Sequence, residues 1–244
     1  RAPDPVLQQL EDFGHGDVSV NDAFRPLTRY FDRISRPEQI LRALPRAISV
    51  MLDPATCGPV CLALPQDVQT EAFDCPIDFL NPAPVRIRRN PPQARELQDA
   101  VALVLGARKP LIIAGGGVLY SRAWDALATF ANNYGVPVTE TQAGKGGLHW
   151  DHPLNLGAIG VTGSPAANAT AREADLVIAI GTRMQDFSTG SNSLFPRAQV
   201  LGINVQAFDA TKSRGQALVA DASLALAALD AALVDWHTDP AWTD

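Results

Sequence analysis

Cysteine is scarce in this chain of 244 residues, which holds three. Cys57, Cys61 and Cys75 are too few and too clustered for a disulfide framework, and no second Cys or His group completes a tetrahedral zinc site. They read as reduced thiols. Positive charge is also short, with Lys plus Arg at 20 against Asp plus Glu at 26 and a net charge of -6. That balance excludes broad binding to a phosphate backbone, so no nucleic-acid partner is expected. No apolar run is long enough to cross a bilayer and no signal-type segment is present, which predicts no membrane partner and a cytoplasmic setting. Nucleophile elbow, P-loop and Ser-His-Asp patterns are missing. The first residue is Arg1, and the polar opening RAPDPVLQQLEDFGHGD lacks the strand that normally starts an α/β domain, so the chain reads as cut from something longer.

What is present is a globular composition, 46% hydrophobic and 19% charged, enough for one large domain or two smaller ones. Ser35 with Glu38 forms a capping-box pattern, and Ile40, Leu41, Leu44, Ile48 and Met51 follow at near-helical spacing. Pro45 inside that pattern predicts a kink or a break into two short helices. Val60 to Leu64 is an apolar run of strand length, ended by Pro65-Gln66-Asp67-Val68. Asn81 to Pro92 is rich in proline and carries Arg86, Arg88 and Arg89, the composition of a solvated linker. Beyond it a helix over Leu97, Val101, Val104 and Leu105 stops at Gly106, and a strand over Leu111 to Ala114 ends in Gly115-Gly116-Gly117. A helix over Trp124 to Ala131 follows, with Gly135 placed to supply a left-handed cap. Val136 to Val138 is a short strand, Pro165 to Arg172 a helix, Leu176 to Ile180 and Val200 to Val205 two further strands, and Ala222 to Val234 a final helix. This alternation predicts a parallel sheet covered by helices on both faces, with ligands at the carboxyl ends of the strands.

Between Thr139 and Gly163 the chain shows no strand or helix period, and a structureless connection of that length inside a domain is functional or disordered. Apolar Leu148, Leu154 and Ile159 favour an ordered loop near a ligand. Gly115, Gly116 and Gly117 sit between a strand and a helix, where glycines let backbone N–H groups approach a phosphate. The dinucleotide spacing fails at Tyr120, however, and a tight turn without ligand is equally consistent. Gly181-Thr182-Arg183 ends another strand, and Arg183 can pair with a phosphate or carboxylate or with local Asp186. His152, which precedes Pro153, is expected to hydrogen-bond backbone and fix the loop, and Asp67 to cap a short helix.

The stretches GPVCLALPQDV, KPLIIAGGG, GVPV, AGKG, HPLNLGAIGVTG and ADLVIAIGTR stand in the order seen in the thiamine-diphosphate-dependent enzymes related to acetolactate synthase and pyruvate oxidase, which the chain resembles. NDAFRPLTRYFDRISRPEQIL, LPQDVQTEAFDCP, GTRMQDFSTGS and INVQAFDATK are similar to the trihydroxycyclohexane-dione hydrolases of inositol catabolism. The resemblance implies that residues 1–80 end a pyrimidine-binding domain, 81–93 form a linker, 94–236 form a Rossmann-like central domain and 237–244 begin a second linker. It implies thiamine diphosphate and Mg²⁺ in the whole protein, held by the activating glutamate and the metal motif of other domains, and a cyclic dione cleaved at a C–C bond. Within this chain it implies no catalytic residue and no metal ligand. It implies at most a flavin or nicotinamide dinucleotide, or a vestige of that groove, at Gly115, Gly116, Gly117, Gly181, Thr182 and Arg183. The implied partners are the pyrimidine and diphosphate domains and a second subunit.

Overall fold

The computed structural model describes residues 20–81, 84–213 and 215–243. The polar opening and Pro82-Ala83 of the expected linker lie outside them. The chain divides into two compact units, residues 1–88 and 89–244.

In the first unit a 3₁₀ helix over Val20–Leu27 leads to strand β1 (Tyr30–Arg33), a short 3₁₀ turn, helix α1 (Ile40–Leu52), strand β2 (Val60–Ala63) and the short helices α2 (Gln66–Gln69) and α3 (Ile77–Leu80). β1 and β2 pair in parallel from Tyr30 with Val60 to Arg33 with Ala63. Ile34, Ala43 and Val68 form the small core of this unit, with Ile40 and Leu62 against it. Three sequence readings are corrected here. α1 runs unbroken through Pro45, so of the kink or break expected there the break does not occur. The side chain that reaches back to Ser35 is Gln39, one residue beyond Glu38; its amide oxygen accepts from the Ser35 N–H at 3.1 Å and hydroxyl at 3.3 Å. The 3₁₀ turn at Pro37–Gln39 shifts that register by tightening the helix entrance. Asp67 lies inside α2, whose N-cap is Pro65.

The second unit contains helix α4 (Ala94–Gly106), strand β3 (Pro110–Ala114), helices α5 (Gly116–Tyr120) and α6 (Trp124–Tyr134), strands β4 (Val138–Glu140) and β5 (Asn155–Ala158), helix α7 (Pro165–Glu173), strand β6 (Leu176–Ile180), helix α8 (Asp186–Thr189), strand β7 (Gln199–Asn204), helix α9 (Ala207–Thr211), strand β8 (Gln216–Val219) and helix α10 (Ala222–Ala232). All six strands are parallel, in the order β5-β4-β3-β6-β7-β8. The chain lays strands outward from β3 on one side and then on the other, so the order reverses between β3 and β6, the switch point of a doubly wound fold.

Alternate residues of the central strands enter two cores. Ile112, Ala114, Ile178, Ile180, Leu201 and Ile203 meet α4, α5, α6 and α10. Leu111, Ile113, Val177, Ala179 and Val200 meet α7 and the segment around Met184, Leu194 and Phe195. Burial on both faces explains why these strands read as continuous apolar runs. Gly135 ends α6 in the left-handed region at φ 66, as its position predicted.

The stretch from Thr139 to Gly163 is not structureless. Thr139 and Glu140 finish β4, Gln142–Gly144 form a 3₁₀ turn, and β5 pairs with β4 across a register shift. At Gly157, φ 84, the irregular backbone is satisfied by side chains: Asn155 accepts from the Gly157 N–H at 2.8 Å and the Ser164 hydroxyl donates to the Leu156 carbonyl at 2.7 Å. At the opposite edge, Glu96 accepts from the Val219 N–H at 2.8 Å. Unpaired edge groups are thereby blunted against pairing with other strands. Residues 237–243, expected to begin a linker, are held against the unit by Thr238 N–H to Tyr134 carbonyl at 2.9 Å and Trp242 Nε1 to Pro110 carbonyl at 2.9 Å.

Candidate functional site

The sequence-predicted residues come together at the switch point, because Gly115 to Gly117 follow β3 and Gly181 to Arg183 follow its neighbour β6. Their contacts are chiefly with each other. The Gly115 N–H donates to the Ile180 carbonyl at 2.8 Å and the Gly117 N–H to the Gly181 carbonyl at 2.9 Å. A Cβ on Gly115 would lie 2.4 Å from the Gly181 oxygen, and one on Gly117 would lie 2.5 Å from the Gly181 Cα. Gly181 itself takes φ 59. These glycines are required by close backbone approach, and two of the N–H groups that a phosphate cradle would use are already bonded to carbonyls.

Thr182 is buried; its hydroxyl accepts from the Met184 N–H at 3.3 Å and its carbonyl from the Asn204 side chain at 3.1 Å. Met184 is non-glycine at φ 45, a strained conformation held by its buried side chain. Arg183 is exposed and forms no ion pair with Asp186 or any other described residue.

Three further groups shape this end of the sheet and escaped the sequence reading. Glu140 is buried at the end of β4, and one carboxylate oxygen accepts from the N–H groups of Gly146 at 3.1 Å and Leu148 at 3.0 Å. Thr141 caps the same turn by accepting from the Gly144 N–H at 3.1 Å. Gly144 packs on β3, where a Cβ would stand 2.2 Å from the Ala114 oxygen. The glutamate in ETQAGKG was legible as a carboxylate beside a glycine turn, but nothing local told that it points inward.

Further along the loop His152 behaves as expected, its Nδ1 accepting from the Leu154 N–H at 3.2 Å. That bond leaves the proton on Nε2, a buried atom without a protein partner. His149 pairs with Asp151, whose carboxyl is held below its usual range by that hydrogen bond. Neither histidine meets the other as a metal pair, and among the described residues no three His, Cys, Asp or Glu side chains gather. The donors for a metal-bound diphosphate are therefore not supplied by the described residues, and the site cannot hold that group by itself.

The fold and its sealed switch point define an open, doubly wound α/β domain whose carboxyl end is closed by backbone contacts at the two glycine turns and by the buried Glu140 carboxylate. The profile of the thiamine pyrophosphate enzyme central domain matches residues 97–229, more than half of the chain, and the chain belongs to that family. It is similar to proteins named 3D-(3,5/4)-trihydroxycyclohexane-1,2-dione hydrolase: 49% identical to that of Geobacillus thermodenitrificans over 236 residues, and 47% identical to that of Clostridium perfringens over 235. These alignments cover 97% and 96% of this chain and 37% of each relative. The chain thus spans little over a third of the length of the curated relatives it matches. A solved structure from Mycobacterium smegmatis, described as a thiamin diphosphate-dependent enzyme, superposes with a TM-score of 0.70 at 26% identity, over 90% of this chain and 42% of that one.

Proposed function

We propose that the intact protein opens the ring of trihydroxycyclohexane-1,2-dione to a 5-deoxy-uronic acid in inositol degradation, using thiamine diphosphate and Mg²⁺. The chain described here supplies the end of its pyrimidine-binding domain and its central domain. The observation that carries this reading is identity of 46–49% over nearly the whole chain to proteins bearing that one name. The cofactor supplies the C–C cleavage chemistry when bound, and these residues supply shape. The reading includes a cytoplasmic setting and a homo-oligomer; among the described residues no helix is long and apolar enough to cross a membrane. The test is an assay of the full-length protein and of this chain with thiamine diphosphate, Mg²⁺ and the cyclic dione. Turnover by the full-length protein alone is expected; turnover by this chain, or none by either, rejects the reading.

For the central domain we propose a scaffold and subunit contact in preference to a flavin or nicotinamide site, on the engaged N–H groups of Gly115 and Gly117. Calorimetric titration with FAD, NAD and ADP is expected to give no heat at millimolar ligand. Saturable heat that is lost on Arg183→Ala would restore the dinucleotide groove.

A further inference from the structure

The expected linker changes character within a single peptide bond. Val85, Arg86, Ile87 and Arg88 are exposed, lie in no helix or strand, and make no hydrogen bond or ion pair with a described residue. Arg89 does the opposite. Its guanidinium donates to the Asp221 carboxylate at 2.7 Å and to the Ser121 hydroxyl at 2.9 Å. Asp221 is 4% exposed, and its other oxygen accepts from the Ser121 hydroxyl at 2.6 Å and the Ser223 N–H at 3.1 Å. The Asp221 N–H closes the arrangement by donating to the Asn90 carbonyl at 2.9 Å. Six residues on, Glu96 holds the edge of β8. Residues 89–96 are therefore stitched to α5, β8 and α10, and the pair is costly to break on one side, because Asp221 is buried whereas the Arg89 side chain is half-buried and can be rehydrated.

We propose that Arg89 and Asp221 form a clamp that roots the second unit, and that residues 84–88 are an accessible cleavage site for arginine-specific proteases. Such proteases need a free arginine side chain to enter their specificity pocket, with extended, unbonded backbone leading into it from the amino side. Arg86 and Arg88 offer it, whereas the bond after Arg89 is shielded by the clamp although its side chain has the same chemistry. The contrast between adjacent arginines is what a general exposure of the linker would not produce.

Limited trypsin digestion of the chain, with mass spectrometry of the large fragment, tests this. Fragments beginning at Ile87 and Arg89 are expected, at least tenfold faster than any beginning at Asn90. Asp221→Ala is expected to raise cleavage after Arg89 to the rate seen after Arg88. Hydrogen exchange on the unaltered protein gives a second measure that does not depend on the variant folding: amides from Val85 to Arg88 should exchange near their intrinsic rates, and that of Asp221 at least a hundredfold more slowly. Equal cleavage after Arg88 and Arg89, or equal protection of 85–88 and Asp221, would overturn the proposal.

Discussion

The two units are built from the same element, a parallel β-α-β repeat, yet differ in how far they complete it. The second unit has six strands with helices on both faces, and its strands β3 and β6 are buried throughout. Among the described residues the first has two strands, every residue of β1 is only half-buried, and Phe24, Leu27, Leu64, Ile77 and Leu80 stay exposed. A parallel sheet gains its stability from burial on both faces, and two strands cannot supply it. The difference teaches that the second unit encloses its central strands, whereas the first leaves its strands half-covered; large apolar side chains stay exposed in both, such as Trp150 and Phe208 in the second.

The sharpest way to break that comparison is at the glycine seal. Gly117→Ala would force a Cβ to within 2.5 Å of backbone at Gly181, with no flexible side chain to yield. A loss of about 3 kcal/mol or more is expected in urea unfolding. Gly106→Ala, where a Cβ meets nothing within 4 Å, serves as the control and is expected to be neutral or slightly stabilising. Next in size, Ile178→Ala empties a site in the larger core and should cost about 3 kcal/mol. All four tryptophans, Trp124, Trp150, Trp236 and Trp242, lie in the second unit, so fluorescence reports it alone while circular dichroism reports both. Ile34→Ala in the small core should shift an early dichroism phase and leave the fluorescence midpoint in place. A single coincident transition moved by both variants would erase the distinction between the units.

Smaller effects sharpen the picture of the second unit. Glu140→Ala leaves the Gly146 and Leu148 N–H groups without their acceptor and is expected to cost about 2 kcal/mol, with Glu140→Gln recovering most of it. Protection of those two amides in hydrogen exchange checks the cause. The smallest effect concerns Tyr134, whose hydroxyl donates to the Asp230 carbonyl at 2.9 Å. Burial, aided by nearby Asp230, pushes this phenol up to about 12. A raised pKa means that its stabilisation is whole below the unfolded value near 10 and is lost as pH climbs through about 12. Tyr134→Phe should cost about 1 kcal/mol at pH 8 and remove this contribution to the alkaline loss, seen by comparing denaturation at pH 9 and pH 11.5.

Much of the second unit was legible because its central strands are apolar on both faces and its helices carry regular spacing. Gly135, read as a left-handed cap, is one. The candidate residues stand at adjacent strand ends, and the glycines face one another's backbone, in keeping with the tight-turn alternative that the sequence left open. β5, with the sequence NLGA, carries no β-branched residue and becomes a strand only by pairing with β4. Arg89, read with Arg86 and Arg88 as one solvated cluster, separates from them only because Asp221 lies 132 residues further on and folds back to it.

By itself the sequence determined the α/β class, the positions of the buried strands and the ordered motifs that mark the family, because each depends on residues close together in the chain. Tertiary structure alone decided which N–H groups at the switch point are free, which edges are blunted, which arginine is clamped and where Glu140 points. Those outcomes depend on pairing between segments distant in sequence, and local propensity carries no information about the partner.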